Sequence, residues 1–141
     1  MNKVAIVYWS GTGNTEEMAN ALLEDCKDLG AEVQLYQASE FNADEFDKYD
    51  SVAFGCPAMG DEELEEEEFL PMYESIRPKL SGKPIVIFGS YSWNDGEWMR
   101  LWQSQANDDG ANLLCDGIMA YEAPDAQVLE SLSAAAKLLV G

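Results

Sequence analysis

Six residues, Ser10-Gly11-Thr12-Gly13-Asn14-Thr15, put three hydroxyls, a side-chain amide and two glycines into one short segment. They follow an apolar run, Val4 to Trp9, and precede a segment with Met18, Ala21, Leu22 and Leu29 at helical spacing. A strand, a tight turn and a helix start make an anion site, because free backbone N–H groups and the positive end of the helix dipole face the turn. The segment holds no Lys or Arg. It therefore matches neither the G-x-x-x-x-G-K-[ST] loop of nucleotide triphosphatases nor the three-glycine dinucleotide fingerprint. The chemistry that fits is capture of one phosphate monoester by neutral donors, each hydrogen bond to a charged acceptor contributing about 1.5–3 kcal/mol. An ordinary glycine turn with an Asn14 or Thr15 cap would use the same residues.

Two further stretches carry groups of interest. Ser90 to Gly96 is a polar loop around Trp93, an aromatic suited to stacking on a flat ring. Trp9 ends the first apolar run and can equally face core. Trp98 and Trp102, four apart, read as core, as do Met72 and Met99. Gly60 follows Met59 in a turn where a glycine peptide reorients at little cost. Between Asp61 and Glu68 only Leu64 is not acidic, which suits carboxylates on the solvated N-terminal end of a helix. The ligand spacing and central Gly of an EF-hand are absent. One carboxylate about 10 Å from a bound anion, at an effective dielectric near 20, costs roughly 1.7 kcal/mol before screening. For one electron that is about 70 mV, so a redox group here would be a strong reductant once charged.

Composition narrows the classes. A net charge of -19 argues against nucleic acid and anionic membranes and favours basic partners. The absence of His excludes Ser-His-Asp triads and most zinc sites. Three widely spaced cysteines, Cys26, Cys56 and Cys115, read as reduced thiols of a cytoplasmic protein. Neither a membrane span nor a signal peptide is expected.

The elements that must position these groups alternate along the chain. Strands are expected at Val4–Trp9, Glu32–Tyr36, Ser51–Gly55 and Pro84–Gly89, with an interrupted one over Asn112–Tyr121. Helices are expected after Thr15 with Gly30 as C-cap, briefly around Asp44–Phe46, over Leu64–Leu80 with a kink or restart at Leu70-Pro71, over Glu97–Asn107 and over Asp125–Val140. In the helix from Glu97, the residues Trp98, Leu101, Trp102 and Ala106 share a face. The pattern predicts one α/β domain over residues 1–141, a doubly wound five-stranded parallel sheet of order 2-1-3-4-5 with helices on both faces. At the switch point the loops after strands one, three and four converge.

The stretches Val7–Glu16, Gly55–Glu62, Phe88–Tyr91, Trp93 and Asp95-Gly96 resemble those of short-chain flavodoxins, and the resemblance runs the length of the chain. It implies one non-covalent FMN and a low-potential single-electron carrier cycling between semiquinone and hydroquinone. Ser10, Gly11, Thr12, Gly13, Asn14 and Thr15 would hold the phosphate, with Pro57 beside them bringing no N–H. Ala58, Met59, Gly60, Asp61 and Glu62 would cover one face and edge of the ring. The Gly60-Asp61 carbonyl would turn to flavin N5; the Asp61 N–H and Glu62 carboxylate would meet the O4/N3 edge. Trp93 would stack on the ring, and Ser90, Tyr91, Ser92 and Asn94 complete the second aromatic loop. Relatives usually carry Gly-Trp-Gly where this chain has Ser92-Trp93-Asn94, so altered affinity or potential is expected. A positive φ would strain Ser92 more than Asn94.

The resemblance implies redox partners with basic patches, such as a reductase or ferredoxin-linked oxidoreductases, and a monomer. A nicotinamide-dependent reductase of the same fold would need basic residues for a second nucleotide, and none lies in the three loops. A receiver domain would need a phospho-acceptor where Cys56-Pro57 stands.

Overall fold

The first apolar run forms β1, Lys3–Tyr8, which is buried along all but its first residue and sits at the middle of a parallel sheet. The computed structural model describes residues 3–60, 63–93 and 95–141. Asp61, Glu62 and Asn94 therefore lie outside the described residues. Chain order continues with α1 (Asn14–Asp28), β2 (Glu32–Gln37), α2 (Ala43–Phe46), β3 (Ser51–Gly55), α3 (Phe69–Ile76), β4 (Pro84–Tyr91), α4 (Glu97–Asp108), β5 (Asn112–Leu113), β6 (Ile118–Tyr121) and α5 (Ala126–Val140). Short 3-10 turns occupy Ala38–Glu40 and Arg77–Lys79.

Among the described residues every pairing between these strands is parallel. The lanes run β2-β1-β3-β4, and the fifth lane is made of β5 and then β6, both paired to β4. The expected interrupted strand is thus two ladder segments in one lane, which makes six strands among the described residues in the 2-1-3-4-5 arrangement. Alternation of side chains divides the core. Val4, Ile6, Ala53, Val86 and Phe88 face α1 and α5, whereas Ala5, Val7, Phe54, Ile85 and Ile87 face α3 and α4. Each large apolar side chain removed from water in this way contributes roughly 1.5–3 kcal/mol before the entropy of ordering is counted.

Four local expectations are corrected. The helix expected from Leu64 starts at Phe69, because Pro71 has no N–H and fits only the first turn, where none is needed. On α1 the buried stripe is Met18, Ala19, Leu22 and Cys26, while Leu29 is exposed. Leu29 is already the C-cap, with Gly30 at φ 84 closing the helix: Gly30 N–H donates to Lys27 O and Ala31 N–H to Cys26 O. Leu101 does not join Trp98, Trp102 and Ala106 in the core but is 56% exposed. Finally, β4 runs to Tyr91, so Ser90 and Tyr91 belong to the strand end, and Ile118–Tyr121 supplies the partner that extends it.

Candidate functional site

Loops from the carboxyl ends of β1, β3 and β4 meet around a pocket of about 230 Å³. Its lining is Trp9, Gly11, Thr12, Asn14, Pro57, Ala58, Met59, Gly60, Ser90, Tyr91, Ser92 and Trp93. Eleven of these twelve were expected at the site from sequence; Trp9 is the addition, half-buried and packed on the α3/α4 core. The pocket is a little smaller than the roughly 300–1,000 Å³ common for ligand sites, which suits a ligand that keeps one edge in solvent. A hollow of about 570 Å³ lies elsewhere, between β6 and α5, and a groove of about 320 Å³ lies along α4. Neither has loops converging from strand ends, and the chemistry follows the convergence.

The first loop is built around Ser10. Its Oγ accepts from the N–H groups of Gly13 at 3.1 Å and Glu16 at 3.3 Å, which uses its lone pairs and leaves its proton to donate. Gly13, at φ 98, is the residue before α1, a conformation that costs a side chain roughly 1–2 kcal/mol. The N–H groups of Gly11, Thr12, Asn14 and Thr15 have no acceptor among the described residues. They stand at the N-terminus of a four-turn helix and have the arrangement an anion completes. Ser10 itself lines a separate small polar hollow with Tyr8, Glu16 and Gln37. Tyr8 Oη donates to Glu16 Oε2 at 2.8 Å, and burial followed by this bond raises the phenol above its ordinary range.

Thr15 is 1% exposed, and its Oγ1 lies 2.8 Å from Ser90 Oγ while accepting from Ser90 N–H at 3.3 Å. One of the two hydroxyl protons joins the pair and the other stays available. Thr15 and Ser90 thus lock the phosphate-type loop to β4.

The second loop leaves β3 at Cys56. Ala58 N–H donates to Ser90 O at 3.0 Å, so that amide is spent on β4. Met59 and Glu63 exchange both backbone bonds, at 2.8 and 3.0 Å, and Gly60 stands at φ 41. A left-handed φ at Gly60 is one a side chain adopts only with strain. The base is clamped by Trp98 Nε1, which donates to Cys56 O at 3.2 Å. Burial pushes the Cys56 thiol well above its usual range, so it stays protonated.

The acidic run after Gly60 corrects an expectation. Glu65 is not solvated; it is 6% exposed and receives the N–H groups of Glu67, Glu68 and Phe69 at 2.9, 2.8 and 2.8 Å. Sequence reasoning missed it because seven carboxylates in eight residues look alike. The available signal was Phe69, the first buried apolar residue, four positions on from Glu65 as in a capped helix start.

The third loop presents Trp93, 85% exposed at the pocket rim. Among the described residues Glu122, at φ 57, is the one non-glycine with positive φ. Ser92 therefore carries no left-handed strain, and its replacement of glycine is free of that penalty. Tyr91 sits between Trp98 and Tyr121, with centroids at 5.7 and 5.6 Å. No Lys or Arg lines the pocket; Arg100, near the third loop, is paired with Asp95 at 3.5 Å.

Comparison with known proteins agrees with this geometry. The flavodoxin family model matches residues 6–134. A flavodoxin of Megasphaera elsdenii is 45% identical over 122 residues, covering 86% of this chain and 88% of that one. A flavodoxin of Clostridium beijerinckii is 44% identical over 120 residues, covering 85% and 87%. The solution structure of two-electron reduced Megasphaera elsdenii flavodoxin superposes with a TM-score of 0.87 at 43% identity, over 94% of this chain and 97% of that one.

Proposed function

The chain belongs to the flavodoxin family, and from that premise we propose which residues hold its cofactor, at what potential it works and whom it serves. As a flavodoxin it binds FMN and carries electrons, and it is not an enzyme. FMN supplies reversible one-electron chemistry when bound.

The donor set fits that group. Four unfilled N–H groups and the Ser10, Thr12 and Thr15 hydroxyls match a phosphate monoester, and a half-open pocket with an exposed indole at its rim matches a flat ring. The single observation that carries the assignment is the meeting of Gly11, Thr12 and Asn14 with Trp93 and the Met59-Gly60 turn in one pocket. Ser10 to Thr15 bind the phosphate. Pro57, Ala58, Met59 and Gly60 cover one side of the ring, with Asp61 and Glu62 following them in sequence. Ser90 acts through Thr15 and the Ala58 amide, and Tyr91, Ser92 and Trp93 close the other side, with Asn94 following them in sequence.

The potential is low because the surroundings are anionic. The pocket has no cationic lining, and Glu63 and Glu66 to Glu68 are exposed beside it. Adding an electron there works against these charges, each costing on the order of 1–2 kcal/mol at about 10 Å. The partners are redox proteins with basic patches, met by electrostatic steering. The chain works as one cytoplasmic domain and as a monomer; among the described residues no helix is long and apolar enough to cross a membrane.

Purified protein reconstituted with FMN is expected to titrate with dithionite in two one-electron steps, without oxidising NADPH by itself. Reduction in a single two-electron step would overturn the carrier mechanism proposed here. Electron-transfer rates to a basic partner should fall steeply from low to high salt, and flat rates would remove the steering.

A further inference from the structure

The loop that covers the ring edge has its distal end held by one buried side chain. Cys56 is fixed at the proximal end by a backbone bond to Phe88 of β4 and by Trp98. Beyond the Met59–Glu63 pair the chain is exposed at Glu63, Glu66, Glu67 and Glu68, and Leu64 is half-buried. Glu65 alone in that span is buried. Its N–H reaches back to Cys56 Sγ at 3.4 Å, and its carboxylate gathers three N–H groups at the start of α3. The segments before Met59 and after Glu63 are therefore joined through Cys56 and Glu65.

We propose that Glu65 is a positioning residue for the cofactor: it sets where the paired backbones of Met59 and Glu63 stand against the ring. This rests on the FMN reading above. Two carboxylate oxygens offer enough lone pairs for three N–H donors, whereas an amide of the same shape offers one oxygen. In Glu65→Gln the amide NH2 faces an N–H donor, and one bond is lost. The stem from Leu64 to Glu68 then loosens, and Glu63 no longer holds Met59 and Gly60 at a fixed distance from Trp93. The neighbouring Glu66 carries the same charge on an exposed side chain and accepts no backbone N–H among the described residues, so Glu66→Gln changes charge alone.

The experiment compares wild type, Glu65→Gln and Glu66→Gln as FMN-loaded proteins. It measures the FMN dissociation rate and both one-electron potentials at low salt and at about 1 M salt, where surface charges are screened within about 3 Å. For Glu65→Gln, dissociation is expected to be at least about tenfold faster, and the separation between the two potentials changes at both salt concentrations. Glu66→Gln is expected to stay within twofold in dissociation, with any shift in potential disappearing in high salt. If the two variants behave alike, Glu65 acts as charge only and the proposal fails. If Glu65→Gln does not fold, Cys56→Ala tests the same stem from its other end, and unchanged dissociation and potentials there overturn the proposal equally. A wild-type protein that takes up no FMN would instead sink the cofactor reading itself.

Discussion

Thr15 Oγ1 and Ser90 Oγ lie 2.8 Å apart in the core, joining residues that are 75 positions apart in the chain. One belongs to the first turn of α1 and the other to β4, so this contact sets the height of the phosphate-type loop above the sheet. Replacing Thr15 by Val keeps the volume but leaves the Ser90 N–H buried without its acceptor. The expected loss is about 1–3 kcal/mol of apoprotein stability by urea denaturation, together with weaker FMN binding by fluorescence titration. Ser90→Ala keeps the N–H bond to Thr15 and should cost less.

Gly13→Ala isolates backbone strain, because an added Cβ there meets nothing within 4 Å while φ is 98. A destabilisation of about 1–2 kcal/mol is expected in urea, with Gly13→Asn milder. Equal values for Ala and Asn would show that α1 starts differently in solution.

Trp93→Ala separates binding from stability. The indole is 85% exposed and closes the pocket rim, so the apoprotein midpoint should move by no more than about 0.5 kcal/mol. FMN affinity should fall by about tenfold, read by fluorescence, through loss of ring stacking.

Glu122 sits at φ 57, where its N–H donates to Tyr91 O at 2.7 Å. Glu122→Gly should raise stability by about 0.5–1 kcal/mol, with the reduced strain outweighing the added chain entropy. The thermal midpoint gives the sign directly.

Cys26 links stability to alkaline pH. Burial, then the charge of Asp25, pushes its thiol up to about 11. The unfolded chain releases this proton near its ordinary pKa of about 8.5 and the folded one holds it, so stability is full below that pH and falls as pH rises towards 11. Urea midpoints across this range should drop in wild type and drop less in Cys26→Ala, after allowing for the small cavity.

The sheet was readable because its central strands are continuous apolar runs, and burial on both faces leaves such runs few alternatives. The site was readable for the related reason that its donors come in one short segment and its aromatic in another. What escaped was decided by packing between distant residues. Leu64 to Glu68 has helical composition, yet Pro71 delays the helix and the buried Glu65 carboxylate gathers the N–H groups of Glu67, Glu68 and Phe69. Ser90 reads as loop until Ile118–Tyr121 pairs beside it and Thr15 binds its hydroxyl. Leu101 keeps the helical spacing of its neighbours, but the sheet face beneath α4 is already filled by Trp98 and Trp102.

The break in the fifth lane offers a place to graft. Leu114 N–H still bonds Ile85 O, and β6 resumes at Ile118, so the sheet is secured on both sides of the gap. Gly117 is closed to change, since a side chain there would stand 2.4 Å from Met99 Sδ. Cys115 and Asp116 are more open, and the entropy of a longer closed loop grows only slowly with length. A guest peptide or small domain inserted between those two residues would hang from the sheet edge, with the redox loops left as they are. The same carrier could then be tethered to a chosen enzyme through its own backbone instead of by charge.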